Sequence, residues 1–437
     1  MASKLSQKLK MLGPGLLFAG AAIGVSHLVQ STRAGAEYGY GLIWVILIIH
    51  LFKYPFFEYG PRYACAMGES LLEGYRKMGK WVFYLFIIMT IGTMFTIQAA
   101  VTIVTASLAI GLFGFGLSVI QWVALILTIC AAILFLGRYR TLDVTMKMVI
   151  ILLTVSTLLA VSFTIGRGSE SLTIAPAFPT DAAGIVFLIA LMGWMPAPID
   201  LSVWHSLWAL EKEKDTEERF DVKKARFDFQ VGFYGAIILA MAFLLLGAHI
   251  MFGSGEEFST ASGQFSAQLI NLYTTALGDW AYWVIGVAAF TAMFSTTLTC
   301  LDALPRTMAA STALIRLGDR APGAERVLDT NFEIQKGDDE RGFLEVPKSY
   351  YWIWMVILLI GVLVILGFLI GSMGLMVQIA TVLSFLTSPF FAIANFRLVT
   401  KYLPAEFQPS PLLRVLSYAG IVFISGFCVL YLINLLT

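Results

Sequence analysis

Two apolar stretches of this sequence contain polar groups of a kind that bind ions. The first reads Gly24-Val25-Ser26-His27, and the second reads Met195-Pro196-Ala197-Pro198-Ile199-Asp200. Carboxylate, imidazole, hydroxyl and backbone carbonyl groups can together hold a partly hydrated cation. We take His27 and Asp200 as candidate metal ligands. The full set of substrate-binding candidates is Gly24, Ser26, His27, Met195, Ala197, Asp200 and Thr387.

The two candidate metal ligands also have structural explanations. Asp200 follows Pro198 at the start of a half-helix, where its carboxylate would cap free backbone N–H groups. A charge at membrane depth costs at least about 2.5 kcal/mol, so an acid found there is usually paired or functional. Capping and ligand binding do not exclude each other. For His27, a structural hydrogen bond is the alternative to a role in the site.

A second set of polar residues is assigned to coupling or gating: Thr296, Thr297, His205 and Gln378. The two threonines belong to a Ser-Thr-rich stretch whose hydroxyls could bind Na⁺, although such hydroxyls commonly bond back to their own helix. Gln378 begins a polar stripe that would close over the site or serve helix–helix contact. Lys53 and Glu58 lie five residues apart in one apolar segment. They indicate a salt-bridged cytoplasmic gate or a simple interfacial charge pair.

The composition places all of these residues in a membrane protein. Of 437 residues, 58% are hydrophobic and 13% are charged, and apolar runs long enough to cross a bilayer recur along the chain. The four cysteines are scattered singly with no CxxC spacing, so neither a zinc site nor a disulfide framework is indicated. No Ser-His-Asp spacing or nucleotide-binding loop occurs, and we do not expect an enzyme.

Hydropathy predicts eleven spans: 13–36, 41–60, 81–111, 117–136, 147–166, 183–209, 230–252, 279–304, 351–371, 375–397 and 412–436. The first and sixth are broken by glycine and proline. If the N-terminus is cytoplasmic, 26 of the 29 basic residues fall on the cytoplasmic side or at its boundary. We expect a bacterial inner-membrane protein with its C-terminus outside.

Two broken spans five apart predict an all-α polytopic protein with a LeuT-like inverted repeat of five plus five helices. Residues 1–12 form the cytoplasmic N-terminus, 13–166 the first repeat and 183–397 the second repeat, with a cytoplasmic loop at 305–350. Residues 412–436 add an eleventh helix.

Several stretches resemble the Nramp family of metal transporters. They are Gly13-Pro-Gly-Leu-Leu-Phe-Ala-Gly-Ala, Arg33-Ala-Gly-Ala-Glu-Tyr-Gly-Tyr-Gly-Leu-Ile-Trp44, Met195-Pro and Trp204-His205-Ser206-Leu207. The resemblance implies a secondary transporter, a symporter by family habit, that carries a divalent metal cation.

The chain departs from that family at both breaks. Where the family has Asp-Pro-Gly-Asn, this chain has Gly24 to His27, so the Asp is missing and His27 takes the Asn position. The family's Met-Pro-His matches either Met195-Pro196-Ala197 or Ala197-Pro198-Ile199. In the second register Ala197 replaces the thioether ligand, which removes a reason to prefer soft ions. The third span contains no Asp or Glu for the family's proton route.

Two cargo classes therefore stay open. The leading one is a divalent cation held at a divergent central site, and the alternative is a small organic solute, an amino acid or carboxylate, driven by Na⁺ or H⁺. The missing Asp favours the alternative because it would repel an anionic cargo, and Trp194 and Trp204 could wall such a ligand. We expect no cofactor beyond a bound divalent cation or Na⁺. The expected partners are the small cargo and the lipid bilayer, with no nucleic acid and no obligate protein partner.

Overall fold

The computed structural model describes residues 13–137, 139–166, 175–216, 221–255, 259, 261–318, 344, 346–368 and 372–436. Within these ranges the chain forms fifteen α-helices and no β-strand. The predicted N-terminal segment 1–12 and most of the predicted loop 305–350 lie outside the described residues.

The stretch predicted to be the first repeat contains α1 to α7. Their bounds are Pro14–Ala22 (α1), Thr32–Tyr38 (α2), Ile43–Met67 (α3), Leu71–Met78 (α4), Lys80–Phe113 (α5), Val119–Phe135 (α6) and Tyr139–Gly166 (α7), with a π-helical turn at Ser26–Ser31 between α1 and α2.

The stretches predicted to be the second repeat and the additional span contain α8 to α15. Their bounds are Ala182–Trp194 (α8), Leu201–Thr216 (α9), Val222–Ile250 (α10), Ser262–Leu277 (α11), Ala281–Leu317 (α12), Lys348–Phe368 (α13), Met373–Lys401 (α14) and Pro411–Leu436 (α15), with a 3₁₀ turn at Ala405–Phe407.

Seven helices are long and apolar enough to cross a membrane, namely α3, α5, α10, α12, α13, α14 and α15. Shorter apolar stretches in α6 and α7, together with the interrupted pairs α1–α2 and α8–α9, complete the eleven predicted spans. We call α1–α2 helix 1 and α8–α9 helix 6. The predicted fold class, with helices 1 and 6 broken, is confirmed.

Several helical segments differ from the prediction. α12 continues to Leu317, beyond the predicted end at 304, and α4 and α11 lie in stretches that were predicted to be connections. α4 begins with a capping box between Ser70 and Glu73, which stabilises a short helix outside the membrane. Hydropathy did not detect α4 and α11 because neither is apolar enough to resemble a span.

Helix 1 is held against α10 by a close backbone contact and a cap. A Cβ on Gly15 would lie 2.1 Å from the Asp228 carbonyl oxygen, so only glycine fits there. The Asp228 carboxylate accepts hydrogen bonds from the N–H groups of Gly13 (3.0 Å) and Gly15 (2.7 Å). A carboxylate at a helix N-terminus also complements the helix dipole. These contacts fix the position of α1, whose C-terminal end leads to the first break.

Candidate functional site

The helix 1 break is narrow. α1 ends at Ala22, Ile23 and Gly24 lie outside the helix, and the chain winds as a π-helical turn from Ser26 to Ser31. The predicted break at Gly24–His27 therefore lies slightly too late in the chain. A Cβ on Gly24 would lie 2.8 Å from Thr296 Oγ1, so this glycine lets helix 1 approach α12. We call residues 23–25 the helix 1 break.

The helix 6 break is longer. α8 ends at Trp194 and α9 begins at Leu201, with a cis peptide bond between Met195 and Pro196. Pro196 and Pro198 have no N–H group, so they cannot continue the backbone hydrogen bonding of α8. We call residues 195–200 the helix 6 break, which agrees with the predicted position.

The two broken helices meet around one small cavity. Ser26 Oγ donates to the Ala22 carbonyl oxygen at 2.8 Å and also lies 3.3 Å from the Pro196 carbonyl oxygen. The central cavity has a volume of about 20 Å³. That is room for about one water molecule or one ion. Its lining includes Ser26, Trp194, Ala197, Trp204, Thr296 and Cys300.

Of the predicted binding residues, Ser26 and Ala197 line the central cavity, and Gly24 touches Thr296 beside it. Met195 is buried but does not line the cavity. Thr387 donates to the Ser384 carbonyl of its own helix at 3.0 Å. Cys300, which the sequence did not single out as a site residue, also lines this cavity.

The two predicted metal ligands do not share the central cavity. The His27 ring pairs with Ser26 Oγ through Nδ1 (2.7 Å) and with the Ala236 carbonyl through Nε2 (3.0 Å), so it joins helix 1 to α10. Asp200 is buried at the start of α9 next to the Leu201 N–H, and its Oδ1 has no hydrogen-bond partner. Among the described residues, no three His, Cys, Asp or Glu side chains are grouped to hold a metal.

Thr296 stands at the centre of an oxygen cage. Its Oγ1 lies 3.2 Å from the Gly20 carbonyl, 3.3 Å from that of Ile23 and 3.2 Å from that of Ala292. One hydroxyl hydrogen can serve only one strong acceptor at a time. The Ala292 carbonyl also belongs to the backbone ladder of α12, whereas the carbonyls of Gly20 and Ile23 lie at the end of α1 and have lone pairs that a hard cation can use. Thr297, by contrast, pairs with Thr105 Oγ1 at 2.7 Å, which is a contact between α12 and α5.

Lys53 is a residue whose contacts with helix 6 could not be predicted from the sequence. Its fully buried ammonium donates to the carbonyl oxygens of Met192 (2.6 Å), Gly193 (2.8 Å) and Ala197 (3.0 Å). The predicted pairing of Lys53 with Glu58 is wrong, because Glu58 pairs with Arg62 one turn later at 2.6 Å. The available signal was a lysine in the middle of an apolar span, which requires a buried partner.

The remaining gating candidates lie apart from the central cavity. His205 packs against Phe18 and Phe229, and its Nδ1 has no hydrogen-bond partner. Gln378 lines a separate cavity of about 320 Å³ with Gln30 and Arg33, which we call the outer vestibule after the predicted orientation.

A larger cavity of about 660 Å³ lies at the opposite, predicted cytoplasmic side, and we call it the inner vestibule. Its wall includes the ion pair between Asp302 and Arg306, with N and O atoms 3.0 Å apart. Burial raises the pKa of Glu73, in the short helix α4 of this wall, to about 7. The central cavity therefore has a polar vestibule on each side.

Comparison with known proteins identifies relatives over nearly the whole chain. Residues 15–434 match the profile of the family described as Nramp, natural resistance-associated macrophage protein-like. An uncharacterised protein of Pasteurella multocida (strain Pm70) is 34% identical over 429 residues, which is 97% of this chain and 92% of the relative.

Similar solved structures include a manganese transporter of Eremococcus coleocola in complex with an aromatic bis-isothiourea substituted compound. Its TM-score is 0.69 at 15% identity, covering 98% of this chain and 87% of the transporter. MhsT in complex with L-phenylalanine gives a TM-score of 0.58 at 12% identity, covering 97% of this chain and 98% of MhsT. Mhp1, a nucleobase-cation-symport-1 family transporter, gives 0.58 at 13% identity, covering 97% and 92%. At these identities the likeness concerns the fold alone.

Proposed function

The chain belongs to the Nramp family, and on that premise we propose that it is a secondary-active transporter that moves a divalent metal cation across the membrane by alternating access. The observation that carries the proposal is the meeting of the two broken helices around a single ion-sized cavity. Such breaks supply unpaired backbone groups at mid-membrane, where transporters of this architecture bind their cargo.

The size of the central cavity supports a cation over the organic solute. The cavity measures about 20 Å³, whereas pockets for small organic ligands measure about 300–1,000 Å³. Trp194 and Trp204, which could form the walls of a site for an organic ligand, line this small cavity instead. The solute alternative therefore lacks room in this conformation.

The helix 6 break has one carboxylate, that of Asp200, although Asp200 does not line the central cavity. Asp200 is buried with Oδ1 unpaired, so it has a free oxygen to attract a cation. Ser26 and Thr296 contribute hydroxyls to the cavity, and Cys300 contributes a thiol. With Ala197 in place of a thioether, we propose oxygen atoms as the main ligands and a hard ion such as Mg²⁺ or Mn²⁺ as the cargo.

We further propose that Na⁺ is the coupling ion, bound in the cage around Thr296. The third span contains no Asp or Glu that could relay protons, and the three carbonyls around Thr296 Oγ1 suit a hard monovalent ion. We place the protein in a bacterial inner membrane with a cytoplasmic N-terminus, because the basic residues concentrate on that side. The two vestibules are then the outer and inner routes to the site.

Uptake by reconstituted liposomes tests the proposal. Purified protein should carry Mg²⁺ or Mn²⁺ to an internal metal-sensitive dye, and Asp200→Asn should lower the initial rate at least tenfold. Asp279→Asn is the matched control, since Asp279 is exposed at the edge of the membrane domain and its substitution should leave the rate unchanged. The proposal would be overturned if the protein took up neither Mg²⁺ nor Mn²⁺ nor Cd²⁺, or if Asp200→Asn kept full activity.

A further inference from the structure

The ammonium of Lys53 sits in a complete cage of carbonyl oxygens. A lysine ammonium has three N–H donors, and here they meet three acceptors at 2.6, 2.8 and 3.0 Å. The side chain is fully buried, although it originates from helix α3 rather than from helix 6. A charged group held this completely inside the membrane must have its charge balanced locally.

The cage exists because helix 6 is interrupted. Met192 and Gly193 lie in the last turn of α8, where backbone carbonyls have no partner within the helix. Pro196 stands where an unbroken helix would supply the N–H group for the Met192 carbonyl. The same end of α8 carries the negative pole of its helix dipole. These carbonyls are therefore a site for a positive charge, and Lys53 fills it.

One atom of the cage connects Lys53 to the proposed cargo site. Ala197 lines the central cavity, and its carbonyl oxygen is also an acceptor for the Lys53 ammonium. The charges of Lys53 and Asp200 interact across the break, although no direct ion pair joins the two side chains. An ammonium that leaves the cage thus has a carboxylate with a free oxygen nearby.

We propose that Lys53 is a tethered cation that competes with the cargo ion for the helix 6 carbonyls, so that the ion binds there only after the ammonium has moved off them. This inference rests on the proposed cation transport and adds the residue that controls it. While no ion is bound, the ammonium occupies the helix 6 carbonyls and balances their partial negative charge. Entry of a cation then repels Lys53 toward Asp200 and frees the Ala197 carbonyl.

A purely structural role for Lys53 predicts a different result when its charge is removed. Lys53→Gln keeps N–H donors for the carbonyls but loses the positive charge, whereas Lys53→Arg keeps the charge. If Lys53 only joins α3 to α8, both substitutions should weaken the fold without changing ion affinity. If it competes with the ion, Lys53→Gln should bind cations more tightly and Lys53→Arg should not.

The experiment measures the thermal stability of the purified full-length protein in detergent while Mg²⁺, Mn²⁺ or Na⁺ is titrated. In Lys53→Gln the half-saturating concentration should fall about tenfold, as expected when one like charge is removed from a buried site. Lys224→Gln, which removes an exposed lysine of α10, should titrate like the wild type. Equal affinities in Lys53→Gln and the wild type would overturn the inference.

The wild-type protein provides a second readout that does not depend on a variant folding. Saturating Mn²⁺ should increase modification of Lys53 by a membrane-permeant amine reagent several-fold, as measured by peptide mass spectrometry. Unchanged or reduced modification in the presence of bound Mn²⁺ would contradict displacement of the ammonium. If no cation stabilises either the wild type or Lys53→Gln, cation transport itself fails. If cations bind but Lys53→Gln does not change their affinity, only the present inference fails.

Discussion

At the scale of single residues, the central cavity depends on side chains that are small or absent. Gly24 allows helix 1 to touch Thr296, and Ala197 occupies a position where a longer side chain would fill the cavity. The polar residues that line it are Ser26, Thr296 and Cys300. We propose that the site holds a cation mainly through neutral oxygens, with the buried carboxylate of Asp200 in the helix 6 break as its acid.

Gly24→Ala should disrupt the contact between helix 1 and α12. The new Cβ would lie 2.8 Å from Thr296 Oγ1, which is closer than real Cβ contacts, so α1 or α12 must shift. We expect lower thermal stability and at least tenfold slower metal uptake. Gly235→Ala is the control, because a Cβ there meets no atom within 4 Å. It should leave uptake unchanged and raise helix stability by up to about 1 kcal/mol. Equal effects of the two substitutions would refute the close-contact explanation.

Sequence reasoning found the breaks but not the partners of the residues around them. Pro196 and Pro198 stand two residues apart and remove two N–H groups from one stretch, so the helix 6 break follows from the sequence, whereas single prolines such as Pro55 and Pro305 lie within continuous helices. The bond between Lys53 and Met192 joins residues 139 positions apart, and it depends on how α3 and α8 pack. The Nε2 of His27 likewise pairs with the carbonyl oxygen of Ala236 on α10, 209 residues away.

At the scale of helices, a buried ion-pair cluster joins α3 to its surroundings near the predicted cytoplasmic side. The Arg62 guanidinium pairs with Glu58 at 2.6 Å and donates to the Phe407 carbonyl at 2.8 Å. Arg226 of α10 approaches the same carboxylate at 4.0 Å. The cluster links α3, α10 and the 3₁₀ turn before α15, and Arg62, Arg226 and Phe407 also line a cavity of about 690 Å³.

Glu58→Gln should destabilise the protein far more than the same change in an exposed pair. Both Glu58–Arg62 and Arg33–Glu37 are Arg–Glu pairs four residues apart with atoms 2.6 Å from each other. Side-chain exposure is 1% for Glu58 and 31% for Glu37. Breaking the buried pair leaves a buried charge and should cost about 3 kcal/mol. Glu37→Gln should cost about 0.5 kcal/mol or less. Similar losses of thermal stability in the two variants would contradict this assignment.

At the scale of the whole molecule, the inverted-repeat architecture followed from the distribution of breaks and basic residues along the chain. Two interrupted spans five apart indicated two repeats, and the described helices agree with that arrangement. The extra helices α4 and α11 could not be predicted by hydropathy, since they lie outside the apolar spans. Whether a vestibule is open also could not be predicted, because it depends on the conformation that the repeats adopt relative to each other.

Alternating access predicts opposite responses of the two vestibules to cargo. The four native cysteines are buried, so background labelling should be low. Single cysteines at Ala183, in the outer vestibule, and at Leu207, in the inner one, would report accessibility to an impermeant maleimide. Saturating Mn²⁺ should raise the labelling rate at one position and lower it at the other. Parallel changes, or labelling of both from the same face of sealed vesicles, would contradict alternating access and the proposed orientation.

The most direct test of the central claim is an anomalous-scattering map from crystals of the full-length protein grown with Mn²⁺. The account predicts one manganese peak between the helix 1 and helix 6 breaks, in the cavity bounded by Ser26, Ala197 and Thr296. It also predicts that the Ala197 carbonyl turns from the Lys53 ammonium to the metal. A peak only elsewhere, or none at saturating Mn²⁺, would contradict the account.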